Sequence, residues 1–412
     1  MRATTSPYYS RNYGGLSQAQ INFLAPYILR VHGPILDPMG GQAHYLSQLA
    51  HCGRDVHIRD LNPGPLTLAL LRDPRLIDAA DTLTTWLAGE LAQLIAVRPT
   101  SKKARYSEEW VPDTVREQLQ EYVGTLGLNR LGDPSVPGRF WRGNLRQRLA
   151  AALPVLCARE IACYTASDNL TWLKKGGLQT VFDIYPVLLG GLTEWNRQWV
   201  LTRSKARPRG RLTVECVDAE DDAAVLRTPR PSLIITSPPY ANRLDYTRLW
   251  APELEVMAAM FGFDTMRIKN RQIGTNVVRG KVPSQDEIGL LPIDIKEALL
   301  QIRNDELYAS ETYYYPFCVN YSVAMARTFA GLGRRLVDGG LIIVFVRDTA
   351  RKDVLFPVNC LISGVLASVG VNTVVEKREV IVRTHVGLRR RDSHSGIHGL
   401  AQREWWMVMR KG

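Results

Sequence analysis

Two consecutive prolines cannot sit inside a β-ladder, so a strand that runs into them must stop there. That constraint falls within residues 232–240, Ser-Leu-Ile-Ile-Thr-Ser-Pro-Pro-Tyr. Leu233, Ile234 and Ile235 make a short apolar run of the kind that forms a buried strand. Ser237-Pro238-Pro239-Tyr240 then ends it in a rigid loop. A loop bearing a hydroxyl and an aromatic ring at a strand's carboxyl end stands where open α/β sheets hold their ligands. For Pro-Pro alone, a plain turn after a core strand explains the residues as well.

Residues 34–64 carry the second constraint. Pro34-Ile35-Leu36-Asp37 reads as a short strand, Pro38-Met39-Gly40-Gly41-Gln42-Ala43 as a turn, and Tyr45, Leu46 and Leu49 as a helix. Gly53-Arg54-Asp55-Val56-His57-Ile58-Arg59-Asp60 then gives a turn and a second strand that ends in an acid. Strand, Gly-rich turn, helix, strand and acid about twenty residues later is the grammar of a dinucleotide site. Glycines let the backbone approach a ligand, and the terminal carboxylate can accept both hydroxyls of a ribose. One Gly pair before a helix is also common without any ligand.

The rest of the chain narrows the class. A net charge of +12 over 412 residues, mostly from arginine, favours a polyanionic partner. Cysteines at 52, 157, 163, 216, 318 and 360 form no CxxC pair, which suits reduced core thiols rather than a disulfide framework. No cysteine follows a proline. No apolar run reaches the length of a membrane span, and no secretory signal is visible. Residues 1–30 begin polar and aromatic, with Tyr8, Tyr9 and Tyr13, and then read as a helix with Ser17 as its N-cap ahead of Ile21, Leu24 and Ile28.

Residues 65–210 read as helical, with a Pro/Gly-rich joint at 132–143 and a helix kinked near Pro154. Arg139, Trp141, Arg142, Arg146 and Arg148 form a basic, aromatic-interleaved cluster that is either a solvated face or a DNA-facing one. Strand-and-helix alternation returns at 211–260, where Leu212–Val217 ends at Asp218. Polar, basic residues at 261–311 read as a long loop beside the site. The closing stretch reads as a helix through Met325, a strand at 341–346, a helix at 358–369, and strands near 374–382 and 405–409. His385, His394 and His398 are too irregularly spaced for a metal site and read with Arg389–Arg391 as a polar loop.

Ser237-Pro238-Pro239-Tyr240 resembles motif IV of the amino-methyltransferases that use S-adenosylmethionine, in the spelling commonest in the branch that methylates N4 of cytosine in DNA. Leu36-Asp37-Pro38-Met39-Gly40-Gly41 resembles that family's Asp-Pro-Phe-x-Gly-x-Gly motif I, with Met39 for Phe and Ala43 in place of the second Gly. Asp60-Leu61-Asn62-Pro63 resembles its Asp-x-Asn-Pro. Asn242-Arg243-Leu244-Asp245-Tyr246-Thr247-Arg248 closely resembles the segment that follows motif IV in one bacterial DNA methylase subgroup. The resemblance covers residues 1–64 and 211–412, and the N-terminal segment matches motif X loosely.

The resemblance implies an α/β fold: a seven-stranded, mainly parallel, Rossmann-like methyltransferase sheet with a helical insertion after the second strand. Its domains would be 1–64, carrying the cofactor motifs; 65–210, the insertion; and 211–412, the remainder. S-adenosylmethionine would be held by Asp37, Pro38, Gly40, Gly41, Asp60 and Asp218, without a metal. Ser237, Pro238, Pro239 and Tyr240 would be catalytic. The Ser237 hydroxyl and Pro238 carbonyl would accept the two amine hydrogens, and Tyr240 would stack on a flipped base. Arg243, Tyr246, Arg248 and Arg271 would hold the nucleic acid. The expected partner is double-stranded DNA in the cytoplasm, with a cognate restriction or defence protein as a further partner and no membrane. Adenine-N6 methylation, RNA methylation, and a nucleic-acid-binding module with a decayed cofactor site remain open at this level.

Overall fold

The computed structural model describes residues 16–97, 105–166, 173–179, 183–200, 210–221, 229–241, 245–274, 283–305, 310–351, 354–382 and 402–412. Seven strands form the main sheet: β1 Ile35–Asp37, β2 Val56–Asp60, β3 Leu212–Cys216, β4 Leu233–Thr236, β5 Leu341–Arg347, β6 Thr373–Val382 and β7 Gln402–Arg410. Their order is β6-β7-β5-β4-β1-β2-β3. β4 runs parallel to β1 and to β5, and β2 runs parallel to β3. β7 is antiparallel to both its neighbours, β5 and β6. The seven-stranded, mainly parallel sheet expected from the sequence is therefore what forms. Its insertion lies after the second strand, as expected.

Every residue of β4 is buried, as are the first six of β5. A strand covered on both faces has no polar alternation to show, which is why Leu-Ile-Ile and Leu-Ile-Ile-Val-Phe-Val read as continuous apolar runs. The strand order reverses between β1 and β4, and in open α/β sheets the crevice at such a reversal opens at the strands' carboxyl ends. β1 ends at Asp37 and β4 runs into Ser237, so both sequence constraints converge on that point.

The chain divides into two compact units. One contains Gly40–Val217 and Tyr246–Lys269 and holds β2, β3 and the insertion. Its helices include Ala80–Ala96, Asp113–Thr125, Leu145–Leu156 and Ile184–Val200. Leu83, Leu87, Leu91 and Leu94 lie buried along one stripe of the first, the 3.6-residue pattern that drives such a helix inward. Two buried aromatic tips are satisfied by backbone: the Tyr122 hydroxyl donates to Ala150 O at 2.9 Å and the Trp195 indole N–H to Leu71 O at 3.2 Å. The insertion is not wholly helical. Arg105–Ser107 pairs with Gly177–Gln179, and Tyr164–Ala166 with Leu173–Lys175, in two short antiparallel ribbons. Three-residue strands are too brief to show a period of two in sequence.

The other unit contains Ser17–Met39, Asp218–Asp245 and Asn270–Gly412, and holds β1 and β4–β7. Helix Gln18–Arg30 starts at a Ser17/Gln20 capping box, in which each side chain accepts the other residue's backbone N–H. Helices Tyr315–Arg335 and Val358–Ser368 pack with β4 and β5 into one apolar core. The loop expected over 261–311 is overturned. That stretch contains helices Thr265–Arg271, Gln285–Gly289 and Ile293–Asn304. Ile295, Ala298, Leu299 and Ile302 of the last are buried at helical spacing, a signal outweighed in the sequence by the stretch's basic residues, glycines and Pro283. No helix among the described residues is long and apolar enough to cross a membrane. The expected loop with His385, His394, His398 and Arg389–Arg391 lies outside the described residues.

The central position of β4 sets a stability test. Ile234 is fully buried between Leu36 of β1 and Ile342 of β5. Ile234→Ala should cost about 2–5 kcal/mol in urea unfolding, whereas Ile381→Ala, 65% exposed on β6, should change stability by less than about 0.5 kcal/mol.

Candidate active site

In the first unit, the turn after β1 closes on the end of β2. Gly40 N–H donates to Arg59 O at 2.7 Å and Gly41 N–H to Asp60 Oδ2 at 3.0 Å. Asp60 Oδ1 accepts the Asn62 N–H at 2.9 Å. Both carboxylate oxygens thus take backbone donors, and with about four lone-pair sites the carboxylate still has acceptor capacity for a ligand hydroxyl. Burial pushes the Asp60 carboxyl up to about 6, against the downward pull of N–H groups from Asn62, Gly41 and Leu61. Asn62 caps helix Pro63–Leu70 through Oδ1, while its buried Nδ2 has no hydrogen-bond partner among the described residues. That orphaned donor beside Asp60 is a feature a polar ligand would satisfy.

The turn itself explains the pattern of small residues. Gly41 has φ of +49°, and a Cβ placed there would meet nothing within 4 Å, so open space lies on that side. Ala43, in the position where the resemblance puts a second Gly, has φ of +54° and is the one non-glycine with positive φ among the described residues. The left-handed conformation costs an L-residue roughly 1–2 kcal/mol. The turn therefore keeps its shape while carrying a buried methyl group.

In the second unit, Asp37 Oδ1 accepts the Met39 N–H at 3.1 Å, closing the start of the same turn. Asp218 and Arg271, assigned to different ligands in the sequence, are paired with each other. Arg271 donates to Asp218 Oδ2 from Nε at 3.0 Å and from Nη2 at 2.9 Å. Asp218 Oδ1 accepts the Glu220 N–H at 3.1 Å. Burial, and then the neighbouring Asp218, push the Glu220 carboxyl up; Arg327 offsets this by pairing with both Glu220 and Glu287.

The loop after β4 is held at several points within this unit. Ser237 and Tyr240 hydrogen bond through their side chains, and burial pushes the Tyr240 hydroxyl's pKa up, with Arg347 pulling it back. Arg347, the last residue of β5, lies with its guanidinium carbon 5.3 Å from the Tyr240 ring centroid. Its Nε donates to Glu404 Oε2 at 2.8 Å, and Glu404 Oε1 accepts from Gln20 Nε2 at 2.8 Å and Trp406 Nε1 at 2.7 Å. Pro239 O accepts the Tyr321 hydroxyl at 2.8 Å. The Pro238 carbonyl has no hydrogen-bond partner among the described residues.

The structure thus brings Gly40 and Gly41 to the end of β2 at Asp60 in one unit, and gathers Ser237–Tyr240 in the other. Arg243 lies outside the described residues. Tyr246 opens the short helix Tyr246–Leu249, and Arg248 donates from Nε to Leu173 O at 3.3 Å. The basic cluster of the insertion splits. Trp141 is buried with its indole N–H on Pro134 O, and Arg148 pairs with Asp73 at 2.8 Å, while Arg139, Arg142 and Arg146 are exposed. Arg347, Glu404 and Tyr321 went unnoticed in the sequence. A charged residue closing an apolar strand is a faint signal for Arg347, whereas a tyrosine inside a helix reads as core. Among the described residues no group of His, Cys, Asp and Glu is arranged to hold a metal ion.

The chain matches no protein-family pattern and no curated protein sequence. Among solved structures it overlaps the rRNA methyltransferase aviRa from Streptomyces viridochromogenes at 14% identity and a TM-score of 0.30, over 99% of this chain and 94% of that one. An overlap of that depth carries no argument, so the site stands on its own geometry.

The Asp60 carboxyl supplies a pH test independent of any ligand. Its folded value near 6 lies above the ordinary 3.8, so the folded state binds more protons than the unfolded one between those values. Its contribution to stability is full below about 3.8 and is lost as pH rises through about 6. Asp60→Asn should remove that downward slope, so the stability difference between variant and wild type should grow in the variant's favour across this window. Urea titrations of both proteins at stepped pH check it.

Proposed function

We propose that this chain is an S-adenosylmethionine-dependent methyltransferase acting on the exocyclic N4 amine of cytosine in double-stranded DNA. The observation that carries the reading is the loop at the carboxyl end of β4, where a serine hydroxyl, a proline carbonyl with no hydrogen-bond partner among the described residues and a tyrosine ring stand at the reversal of strand order. The lone pair of a cytosine amine is delocalised into the ring. Ser237 Oγ and Pro238 O, accepting its two hydrogens, would favour a pyramidal and more nucleophilic nitrogen. As the nitrogen takes the methyl group it becomes cationic, and the same two oxygens stabilise that charge until a proton leaves. Tyr240 offers a stacking surface for a base taken out of the duplex, because N4 is inaccessible while paired.

The cofactor, when bound, supplies an electrophilic methyl group on a sulfonium. The residues fit it: Asp60 retains acceptor capacity for ribose hydroxyls, Gly40 and Gly41 provide close backbone approach, and Asn62 offers an unused amide donor. Asp37 and Pro38 would shape the turn, and Asp218 would accept the adenine amine. Arg243, Tyr246, Arg248 and Arg271 would contact the strand that carries the target, consistent with the net charge of +12. A DNA substrate would put the enzyme in the cytoplasm, alongside any cognate restriction or defence protein.

Two measurements test the reading. Asp60→Ala should weaken S-adenosylmethionine binding by roughly 1.5–3 kcal/mol in calorimetry; an unchanged dissociation constant in a folded variant would remove the cofactor assignment. With labelled cofactor and unmethylated genomic DNA, label should appear in N4-methylcytosine. Ser237→Ala should lower the rate about 10²–10³-fold, and Tyr240→Ala should weaken base engagement by about 1–3 kcal/mol, with Tyr240→Phe close to wild type. Label in N6-methyladenine would shift the target and keep the mechanism. Label in 5-methylcytosine, or only when RNA is supplied, would overturn the proposal.

A further inference from the structure

Successive prolines leave the 237–240 loop with few soft torsions. The rings lock φ at Pro238 and Pro239. Each proline also restricts ψ of the residue before it, so ψ of Ser237 and of Pro238 are confined to extended values. The first soft torsion is ψ of Pro239, which sets the direction of the Pro239 carbonyl and the placement of Tyr240 relative to Ser237 and Pro238. Tyr321 bonds that carbonyl, its hydroxyl 2.8 Å from Pro239 O.

We propose that Tyr321 is a positioning residue for methyl transfer: by holding the Pro239 carbonyl it fixes the Tyr240 ring in register with the two amine acceptors, Ser237 Oγ and Pro238 O. The inference rests on the reading of residues 237–240 as the amine-binding loop. Tyr321 lies inside helix Tyr315–Arg335 and is 1% exposed. Its ring is stacked at 6.4 Å and 21° on Phe317 and meets Phe356 edge-on at 6.2 Å. Two buried aromatic neighbours therefore set the direction of its hydroxyl. A phenylalanine would fill the same space without the cost of burying a hydroxyl, so what the oxygen adds is the tie to the loop.

Two further contacts confine the same segment. Gly274, with φ of +75°, lies so close that a Cβ there would sit 3.3 Å from Tyr240 O and 3.7 Å from Tyr321 Cδ2. The Tyr240 ring meets Arg347, itself anchored on Glu404. Carbonyl, backbone and ring of the loop are thus each limited by a different neighbour, and the Tyr321 bond is made to the carbonyl that the soft torsion itself turns.

The test compares Tyr321→Phe, Ser237→Ala and wild type in methyl transfer from labelled S-adenosylmethionine to unmethylated genomic DNA, with cofactor affinity and thermal unfolding measured on each. Tyr321→Phe keeps both ring contacts, and a cooperative transition with wild-type cofactor affinity will establish that it is folded. We expect kcat to fall roughly 10–100-fold, while KM for DNA and the cofactor dissociation constant stay at wild-type values. A hydroxyl that only stabilised the fold would instead lower the melting temperature and leave kcat unchanged. Wild-type kcat in Tyr321→Phe, with Ser237→Ala slowed about 10²–10³-fold, overturns the role of Tyr321 and leaves the catalytic reading standing. Full activity in Ser237→Ala overturns the reading of the loop, and the positioning role with it. If Tyr321→Phe does not fold, Gly274→Ala strains the loop from its other side and should show the same kcat loss at unchanged cofactor affinity; wild-type kcat there also overturns the proposal.

Discussion

The pairing of β1 with β4 is the interaction on which the rest of the structure depends. Ile35 and Leu36 lie in register with Leu233 and Ile234, joining residues about two hundred positions apart. All four side chains are buried, so the register is enforced by the core as well as by the ladder. That pairing sets Asp37 and Ser237 at the ends of neighbouring parallel strands. The strand order reverses between them, and in open α/β sheets such a reversal is where ligand crevices form. Shifting either strand by one residue would exchange the side chains packed on the two covered faces and move Asp37 out of step with Ser237.

Around this frame, polar groups are held by partners chosen for the loop they support. Glu404 is nearly buried, and its two oxygens accept from Gln20, Trp406 and Arg347. A buried carboxylate is tolerable only when satisfied in this way, and its charge in turn fixes Arg347 against the Tyr240 ring. Asp348, the next residue along, accepts from Asn359 and from the Trp405 indole, tying the end of β5 to the closing hairpin. Asp60 is different in kind. Its burial raises its proton affinity even with backbone donors attached, a state that a ligand bearing hydroxyl donors would relieve.

The pairing of Asp218 with Arg271 shows why a residue's role cannot be read from its type alone. An acid at a strand end and an arginine fifty-three positions later carry independent meanings in the sequence. In the fold the two charges meet, and each is the other's partner. The insertion's basic cluster makes the same point: Arg148 serves Asp73 and two backbone carbonyls, Gly143 O and Trp141 O, and is spent on structure.

The local rules settled much of this protein before any contact was known. Pro-Pro ends β4 because a tertiary amide has no donor for the ladder; Gly40-Gly41 turns the chain; Ser17 caps a helix; and the apolar runs of β4 and β5 are long enough to call for burial on both faces. The Gly-rich turn, the acid at the end of β2 and the site loop follow from such short-range chemistry, whereas the number of strands came from the family resemblance. The helix at Ile293–Asn304 was also written there, as buried residues at helical spacing, but under a basic composition that resembles a loop. Only the tertiary structure decided which distant side chains meet: Tyr321 with Pro239, Arg347 with Tyr240 and Glu404, Arg271 with Asp218. Those partners are set by packing between elements remote in sequence, and neither propensity nor periodicity encodes a distance across a core.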